Sequence, residues 1–310
     1  LNARTSRPTS GETLADFIEH RYLPAAKTDL KPSSQKSLDV MFRLVKPHLN
    51  GIPLREVRTS DIEKVLRAIA SEKERAATSL ANARNFLSGV FRYAIRTDAL
   101  AEGVNPVHAA KYPKGKKPDP ENCHAYTLEE IAAMVAVNEE PTAKTVLLAI
   151  AWSGLRPGEV RGLKWEDVQD GELIIRRSVW NTHETETKTD TVAPVPMVPM
   201  LAKALAAHRK RSTGEYVFSG PSGKPLNLAN LARRVVIPAL TKEELPWHGW
   251  YGFRRGLASN LYRAGVPDLV IQRILRHANV ATTQRHYVKT SDPDAIAAMK
   301  KLAKSFKKSR

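Results

Sequence analysis

The sequence predicts a protein of two domains, an all-α N-terminal domain followed by a mixed α+β domain. The chain has 310 residues, and single domains commonly hold about 100–200 residues. Apolar residues recur at helical spacing in the first third, whereas strand-like runs appear only after residue 170. A proline-, lysine- and glycine-rich stretch, KYPKGKKPDPENCH, lies between these regions and predicts a linker. We therefore expect a flexible N-terminal segment over 1–10, a helical domain over 11–110, a linker over 111–124, and a second domain over 125–310 that ends in a tail helix over about 292–310.

The first domain is expected to contain four helices. Each has an apolar stripe at helical spacing, and such a stripe is typical of a face turned toward a shared core. The stripes are Leu14, Phe17 and Ile18; then Leu38, Met41 and Val45; then Ile62, Val65, Leu66 and Ile69; then Leu80, Ala83, Leu87, Val90 and Ala94. Ser60 and Glu63 have the spacing of a capping box, which predicts that the third helix starts at this pair.

Basic side chains stand opposite the apolar stripes and in the linker. Such residues usually form a solvated face, but they also suit contacts with DNA phosphates. The candidates for DNA binding are Lys36, Arg43, Arg84 and Arg92 on the helices, and Lys114, Lys116 and Lys117 in the linker.

The composition favours a polyanionic partner. The 49 Lys and Arg residues outnumber the 32 Asp and Glu residues, which gives a formal net charge of +17. That excess is typical of nucleic-acid-binding proteins, and a basic protein without such a partner is the alternative. The longest apolar run, TVLLAIAW, is far shorter than the ~20 residues of a membrane helix, so we expect no membrane partner. The single cysteine, Cys123, excludes an internal disulfide and fits a reducing, cytoplasmic compartment.

The second domain is expected to place helices around a β-hairpin. Thr127 and Glu130 form a capping-box pattern at the start of its first helix. The runs ELIIRRSVW (172–180) and VAPVPM (192–197) predict two strands, and the polar stretch NTHETETKTDT (181–191) between them predicts the hairpin tip. Helical spacing returns in the last third of the chain.

Three motifs in the second domain carry residue types suited to one chemistry. They are SGLRPGE (153–159), YGFRRGLAS (251–259) and ILRHANVATTQRHY (274–287). Glycines on both sides of the first arginine would let the backbone turn sharply and direct that side chain into a cleft. In this order the motifs resemble those of the tyrosine recombinases, also called the phage integrase family. The resemblance covers essentially the whole chain and implies a SAM-like, helical core-binding domain followed by an α+β catalytic domain.

The resemblance also implies catalytic roles for residues in several separate elements. The matching positions are Arg156 and Arg254 for the two arginines, Glu159 for the acidic residue after the first arginine, Lys188 for the lysine of the β-turn, His277 for the histidine of the "LGH" element, and Tyr287 for the nucleophile.

The chemistry of the reaction accounts for these residue types. A tyrosine oxygen that attacks a DNA phosphodiester generates a five-coordinate phosphorus with added negative charge, and two guanidinium forks suit its oxygens. The 5′ hydroxyl is a poor leaving group, so it needs a proton from an acid such as the lysine. Because the phosphotyrosine keeps the energy of the broken bond, rejoining needs neither ATP nor a metal ion. We therefore expect no cofactor and no metal.

The chain departs from the family pattern at three positions. Tyr251 stands three residues before Arg254, where histidine or lysine is common in the family. A phenol donates a hydrogen bond but carries no positive charge, so we expect a weaker contact there. Tyr287 follows His277 by ten residues rather than the family's nine, and Arg276 replaces the glycine before the histidine.

The partners implied by the resemblance are double-stranded DNA with a specific recombination site and three further copies of the chain. A homo-tetramer on two DNA sites would exchange strands in sequence. Ile296, Met299 and Phe306 share one face of the tail helix, which suits docking on a neighbouring subunit or packing on the same domain. Two other functions stay open: a DNA-binding accessory or repressor protein that has lost cleavage, and a type IB-like topoisomerase.

Overall fold

The computed structural model describes residues 11–276, apart from residues 50, 73–75, 104, 117–122 and 187–192. The chain divides into two compact units near residue 119. The N-terminal unit is helical, and the C-terminal unit combines helices with short strands. The all-α and α+β classes predicted from the sequence are therefore confirmed. The predicted domain and linker boundaries fall partly outside the described residues and stay a prediction.

The four helices predicted for the N-terminal unit are confirmed, although the first contains a π-helical turn. The elements are α1 (Leu14–Phe17), the π turn (Ile18–Tyr22), α2 (Leu23–Lys27), α3 (Pro32–Val45), α4 (Thr59–Ser71) and α5 (Ala77–Arg96). Thr13 caps α1, because its hydroxyl accepts a hydrogen bond from the backbone N–H of Asp16 at 3.2 Å.

The apolar stripes of these helices meet in one core. Phe17, Leu66, Leu87 and Val90 have no exposed surface. Burial of an aliphatic or aromatic side chain contributes about 1.5–3 kcal/mol, so packing of these stripes holds the short helices in place.

The predicted capping box of Ser60 and Glu63 is wrong. Helix α4 starts earlier, with Arg58 in an extended conformation and Asp61 Oδ2 accepting from the Arg58 backbone N–H at 3.1 Å. Glu63 instead accepts from Arg67 Nη2 at 2.6 Å and from the backbone N–H of Lys111 at 2.9 Å. The carboxylate nearer the true helix start therefore satisfies the terminal N–H group.

The C-terminal unit contains eight described α-helices and five strands. The helices are α6 (Leu128–Val137), α7 (Pro141–Ser153), α8 (Pro157–Gly162), α9 (Pro199–Arg209), α10 (Leu228–Leu231), α11 (Ile237–Lys242), α12 (Trp250–Arg263) and α13 (Asp268–Leu275). The strands are β1 (Val168–Gln169), β2 (Glu172–Ile175), β3 (Arg177–Trp180), β4 (His183–Glu186) and β5 (Ala193–Pro196). The predicted capping box is confirmed at α6, where Thr127 N–H donates to Glu130 at 2.7 Å and Glu130 N–H donates to Thr127 Oγ1 at 3.2 Å.

The strands form two antiparallel sheets rather than one simple hairpin. The first sheet has the order β1-β2-β5, and the second pairs β3 with β4. The prediction that residues 181–191 form only a polar tip is therefore wrong, because this stretch contains β4. The switch between sheets falls at Arg176 and Arg177, which bind opposite oxygens of the buried Asp167 carboxylate at 3.1 and 2.7 Å. These ion pairs hold the bend that separates β2 from β3.

Helix α7 forms the centre of the C-terminal unit. The consecutive residues Leu147, Leu148, Ala149 and Ile150, which point to different sides of this helix, are all buried, because α6, α9 and α12 pack around it. A helix that is apolar on all sides is typical of a buried core helix. Among the helices that the structure describes, none is long and apolar enough to cross a membrane.

Helix α12 lies unusually close to the backbone at Tyr126. A Cβ at Gly252 would be 2.5 Å from the Tyr126 ring, and one at Gly256 would overlap the Tyr126 carbonyl oxygen. Tyr126 N–H donates to the Gly252 carbonyl at 3.2 Å, and Asn260 Nδ2 donates to the Tyr126 carbonyl at 3.2 Å. Burial raises the pKa of the Tyr126 phenol to about 12. These contacts fix the helix that carries Arg254.

Candidate active site

The site begins with a sharp turn at the end of α7. Gly154 follows the last residue of α7 and has φ +60°, a left-handed conformation that favours glycine. A Cβ at this position would lie 2.7 Å from Leu275 and 2.9 Å from Leu257. The close approach of three elements therefore requires glycine here. The turn directs the chain straight into Arg156 at the start of α8.

Glu159 both caps α8 and orients Arg156. Its Oε2 accepts from the Arg156 backbone N–H at 2.8 Å, and its Oε1 accepts from Arg156 Nη1 at 2.7 Å. The Glu159 side chain is only 3% exposed, whereas that of Arg156 is 28% exposed. The carboxylate is thus a buried support, and part of the guanidinium reaches the surface.

Arg254 is buried in α12 and joins the same region. Its Nη1 donates to the Gly154 carbonyl at 2.5 Å, and its Nη2 donates to the Leu275 carbonyl. One guanidinium therefore ties the turn before Arg156 to the end of α13. The fixed fork geometry of arginine allows both bonds at once.

The C-terminus of α13 receives both arginines. The Leu275 carbonyl accepts from Arg254, and the Arg276 carbonyl accepts from Arg156 Nη2 at 3.3 Å. The last carbonyls of a helix lack partners within the helix and carry partial negative charge. Two cations therefore satisfy a helix end that would otherwise be unpaired.

Arg276 was not anticipated as a site residue, and its side chain lies inside the cluster. Its Nη2 donates to Glu159 Oε2 at 2.7 Å, and its side chain is 8% exposed. Burial alone would raise the pKa of Glu159, but the Arg276 and Arg156 guanidinium groups outweigh burial and hold that pKa below its ordinary value. The only sequence signal was the arginine that replaces a glycine before His277.

The structure brings together three of the catalytic residues predicted from the sequence, namely Arg156, Glu159 and Arg254. Lys188, His277 and Tyr287 lie outside the described residues, so their positions and roles stay a prediction.

Tyr251 lies in the first turn of α12, three residues before Arg254, and is 54% exposed. Arg254 on the same helix is buried. His248, the nearest histidine before Arg254, packs its ring against His124 with centroids 4.2 Å apart and donates its backbone N–H to the Tyr126 hydroxyl at 2.5 Å. The exposed side chain three residues before the buried Arg254 is therefore the Tyr251 phenol. Its predicted role as a weak phosphate contact stays a prediction.

A second unanticipated arginine fixes the β3-β4 hairpin beside the cluster. Arg161 of α8 donates from Nε to the Leu226 carbonyl at 3.0 Å, from Nη1 to the Val179 carbonyl at 3.1 Å, and from Nη2 to the Asn181 carbonyl at 2.5 Å. Burial lowers the pKa of Arg161. No periodicity or motif signals this role, because all three partners are backbone oxygens distant in sequence. Arg161 thus links the helix that carries Glu159 to the β3-β4 hairpin that precedes Lys188.

The basic residues nominated for DNA binding differ in their surroundings. Arg43 and Arg92 are exposed on helices, and so is Lys114 in the predicted linker. Arg84 is half-buried, donates to the His108 carbonyl at 3.1 Å and lies 5.9 Å from the centre of the Tyr112 ring. Its guanidinium supports its own unit, so it is the weakest candidate.

The structure gives less information on the other three residues predicted to bind DNA. Lys36 and Lys116 are exposed and each has an interaction within the chain, and Lys117 lies outside the described residues. In the part of the chain that the structure describes, no group of three His, Cys, Asp or Glu residues is arranged to hold a metal ion.

Two family models match the sequence over most of its length. Residues 17–111 match the phage integrase central domain, and residues 125–293 match the phage integrase family. A "tyrosine recombinase XerC-like" protein of Caldanaerobacter subterraneus subsp. tengcongensis is 23% identical over 311 residues, which cover 89% of this chain and 78% of that protein. The integrase of Escherichia phage HK022 is 23% identical over 281 residues, which cover 88% of this chain and 75% of that protein.

Solved structures share the fold. The Tn1549 transposon integrase in complex with transposon right end DNA superposes with a TM-score of 0.78 at 19% identity, covering 94% of this chain and 99% of that chain. A lambda integrase tetramer bound to a Holliday junction superposes with a TM-score of 0.73 at 20% identity, covering 90% of this chain and 79% of that chain. These proteins therefore share the fold of this chain.

Proposed function

Since this chain belongs to the phage integrase family and is a tyrosine recombinase, we propose that it cleaves and rejoins duplex DNA at a specific site through a covalent bond between the 3′ phosphate and Tyr287. The observation that carries this proposal is the convergence of Arg156, Glu159 and Arg254 at the end of α13. His277 follows that helix end directly in the sequence.

The proposed reaction needs only groups of the protein and the DNA. Tyr287 gives its proton to water and its oxygen attacks the scissile phosphorus; the bond from phosphorus to the 5′ oxygen breaks, and Lys188 protonates that oxygen. A 5′ hydroxyl of the partner DNA then attacks the phosphotyrosine and passes its proton to Lys188, while the Tyr287 oxygen leaves and regains a proton from water. The number of phosphodiester bonds is conserved, so no ATP is required.

The arginines supply the electrostatic part of the mechanism. In the transition state the phosphorus gains negative charge on its equatorial oxygens, and guanidinium N–H groups held in advance stabilise that charge. Removal of one such donor typically costs about 10²–10³ in rate. Glu159 supports this arrangement because it is buried and binds Arg156 through two contacts.

Assembly is proposed to follow the resemblance to the lambda integrase tetramer. Four copies would hold two DNA sites, and the tail helix over about 292–310 would dock on a neighbouring copy. Exposed Arg43 and Arg92 suit contacts with phosphates along the DNA. We propose the bacterial cytoplasm, on nucleoid or phage DNA, as the place of action.

A covalent-capture experiment tests this function. A duplex that spans the ends of the protein's own mobile element, with a nick close to the cleavage position, traps the cleaved strand because the short fragment diffuses away. The expected result is a protein–DNA adduct on a denaturing gel that is absent for Tyr287→Phe. Arg156→Ala should also abolish the adduct but keep most of the affinity for DNA.

The other outcomes separate the rival functions. Tight binding of the same duplex without an adduct would identify a DNA-binding accessory protein or repressor. Relaxation of any supercoiled plasmid at the same rate, whether or not it contains the site, would identify a topoisomerase. Affinity lost in proportion to cleavage in Arg156→Ala would make Arg156 an anchor for phosphate only.

A further inference from the structure

The cluster contains a third guanidinium that the proposed reaction does not use. Arg276 directly follows α13 as its C-cap, with φ 54° and ψ 49°, a left-handed conformation that is costly for a residue with a Cβ. Its side chain is nevertheless only 8% exposed. A residue held in such a conformation at a helix end next to a site suggests that the side chain is needed there.

The hydrogen bonds of Glu159 indicate that Arg276 supports this carboxylate. Oε1 accepts from Arg156 Nη1, whereas Oε2 accepts from the Arg156 backbone N–H and from Arg276 Nη2. Each oxygen therefore binds a separate guanidinium, and the plane of the carboxylate is fixed from both ends. If Arg276 were absent, Oε2 would keep only the backbone bond.

The positive charge of Arg276 also changes the net charge of the cluster. Glu159 and Arg156 alone form a neutral pair, and a neutral pair attracts a phosphate weakly. Arg254 brings one positive charge to the same region, and Arg276 adds a second that Glu159 does not neutralise. Arginine stays protonated in proteins, so this surplus does not depend on pH near neutrality. Arg276 reaches this place from α13, whereas Arg156 and Glu159 come from α8.

We propose that Arg276 is a positioning residue for DNA cleavage: it binds Glu159 Oε2 so that Glu159 holds the Arg156 guanidinium toward the scissile phosphate. This proposal rests on the proposed recombinase function. It makes Arg276 act through Glu159 and Arg156 rather than by touching DNA.

The first test measures position without DNA cleavage. Side-chain ¹⁵N NMR of the full chain reports rotation of the Arg156 guanidinium, which is slow when both ends of the group are held. We expect resolved Arg156 Nη–Hη signals in the wild type and in Arg273→Ala, which removes an exposed arginine from the same helix. The signals should average in Arg276→Gly, where glycine suits the left-handed backbone. Unchanged Arg156 signals in Arg276→Gly would overturn the proposal.

The second test is a double-mutant cycle on the rate of adduct formation at saturating DNA. A misplacement of about 1 Å can cost about 10²-fold in rate, so Arg276→Gly should slow cleavage by up to about that factor, with DNA affinity changed less than about threefold. Arg276→Lys should recover part of the rate. In a Glu159→Gln background, Arg276→Gly should have little further effect, because the carboxylate through which Arg276 acts is gone.

The outcomes distinguish this proposal from others. An equal fold loss from Arg276→Gly with and without Glu159→Gln would show direct action on DNA or on the fold, and would overturn the positioning role. A parallel loss of affinity would identify a phosphate contact. If the wild type forms no adduct while the NMR difference is present, the recombinase function fails and Arg276 remains a structural support of Arg156.

Discussion

At the scale of single residues, Glu159 is a buried carboxylate whose protonation affects the stability of the C-terminal unit. It is buried, and burial opposes its charge, but the nearby guanidinium groups of Arg276 and Arg156 lower its pKa in the folded state. A carboxylate with a lowered folded pKa stabilises the fold above its unfolded pKa of ~4.3, and that stabilisation is lost as the pH falls through the folded value. Stability should therefore decrease on acidification in the range below about pH 4.3.

Glu159→Gln tests this pH dependence. Because an amide does not ionise, the advantage of the wild type in unfolding free energy should be full above about pH 5 and should shrink below about pH 4.3. Urea unfolding followed by tryptophan fluorescence measures it in the C-terminal unit alone. All tryptophans belong to that unit: Trp152, Trp165, Trp180, Trp247 and Trp250. A difference that is constant from pH 3.5 to 6 would contradict the expected role of the carboxylate.

Arg254→Lys separates charge from geometry. A lysine keeps the positive charge, but one ammonium does not reproduce the fork that binds the Gly154 and Leu275 carbonyls together. We expect a loss of about 1–3 kcal/mol in unfolding free energy and a strong loss of adduct formation. Arg263→Lys, at an exposed position of the same helix, is the control and should leave both quantities near wild type. Equal stability of the two variants would mean that the buried bonds of Arg254 contribute little.

The order of the motifs was sufficient to predict that Arg156, Glu159 and Arg254 lie together. Each belongs to a short pattern whose residue types suit phosphate chemistry. The contacts of Arg276 and Arg161 were not predicted, because their partners are a carboxylate and backbone carbonyls more than 15 residues away in sequence. No local sequence pattern encodes such pairs. The roles of Lys188, His277 and Tyr287 stay predictions.

At the scale of secondary-structure elements, helical periodicity predicted which helices form better than it predicted the residues at which they start and end. The apolar stripes gave the four N-terminal helices, because burial of a face sets a period of 3.6 residues. The start of α4 was mistaken, since both Asp61 and Glu63 offer a carboxylate near the terminus and the sequence does not show which N–H each can reach. Strand β3 lies within the predicted strand ELIIRRSVW, but β4 was missed because its run HETE is polar and lacks the alternation expected of a half-buried strand.

Helix α12 provides a prediction at this scale. In Gly256→Ala the new Cβ meets the Tyr126 carbonyl, so overpacking of about 1–3 kcal/mol should exceed the ~1 kcal/mol that alanine adds to helix propensity. We expect a lower urea midpoint in the fluorescence assay and a slower cleavage rate, because α12 positions Arg254. Ser259→Ala in the same helix is the matched control. A stabilised Gly256→Ala variant would show that α12 moves easily from Tyr126.

At the scale of the whole molecule, the net charge of +17 sets how strongly DNA binding depends on salt. Each phosphate neutralised by a lysine or arginine releases condensed counterions, so log K falls with log salt by about 0.9 per contact. Several exposed basic residues of the N-terminal unit and the predicted linker suit such contacts. Together, these phosphate contacts favour binding to any DNA duplex, whether or not it contains the specific site.

Arg92→Gln measures one of these contacts. Because Arg92 is exposed, its loss should lower the salt slope by about 1 and weaken specific and non-specific duplexes alike. Arg67→Gln is the control, since Arg67 is paired with Glu63 at 2.6 Å and should leave the slope unchanged. Titrations at 50–300 mM salt provide the measurement. An unchanged slope for Arg92→Gln would remove this residue from the DNA-contacting surface.

The two arginine contacts at the end of α13 also bound the position of the proposed nucleophile. Tyr287 follows Arg276 by eleven residues, and a fully extended chain covers at most about 3.6 Å per residue. If Tyr287 acts as we propose, the phosphate that it attacks lies within about 40 Å of the Arg276 carbonyl, whether its own protomer or a neighbouring copy binds that phosphate.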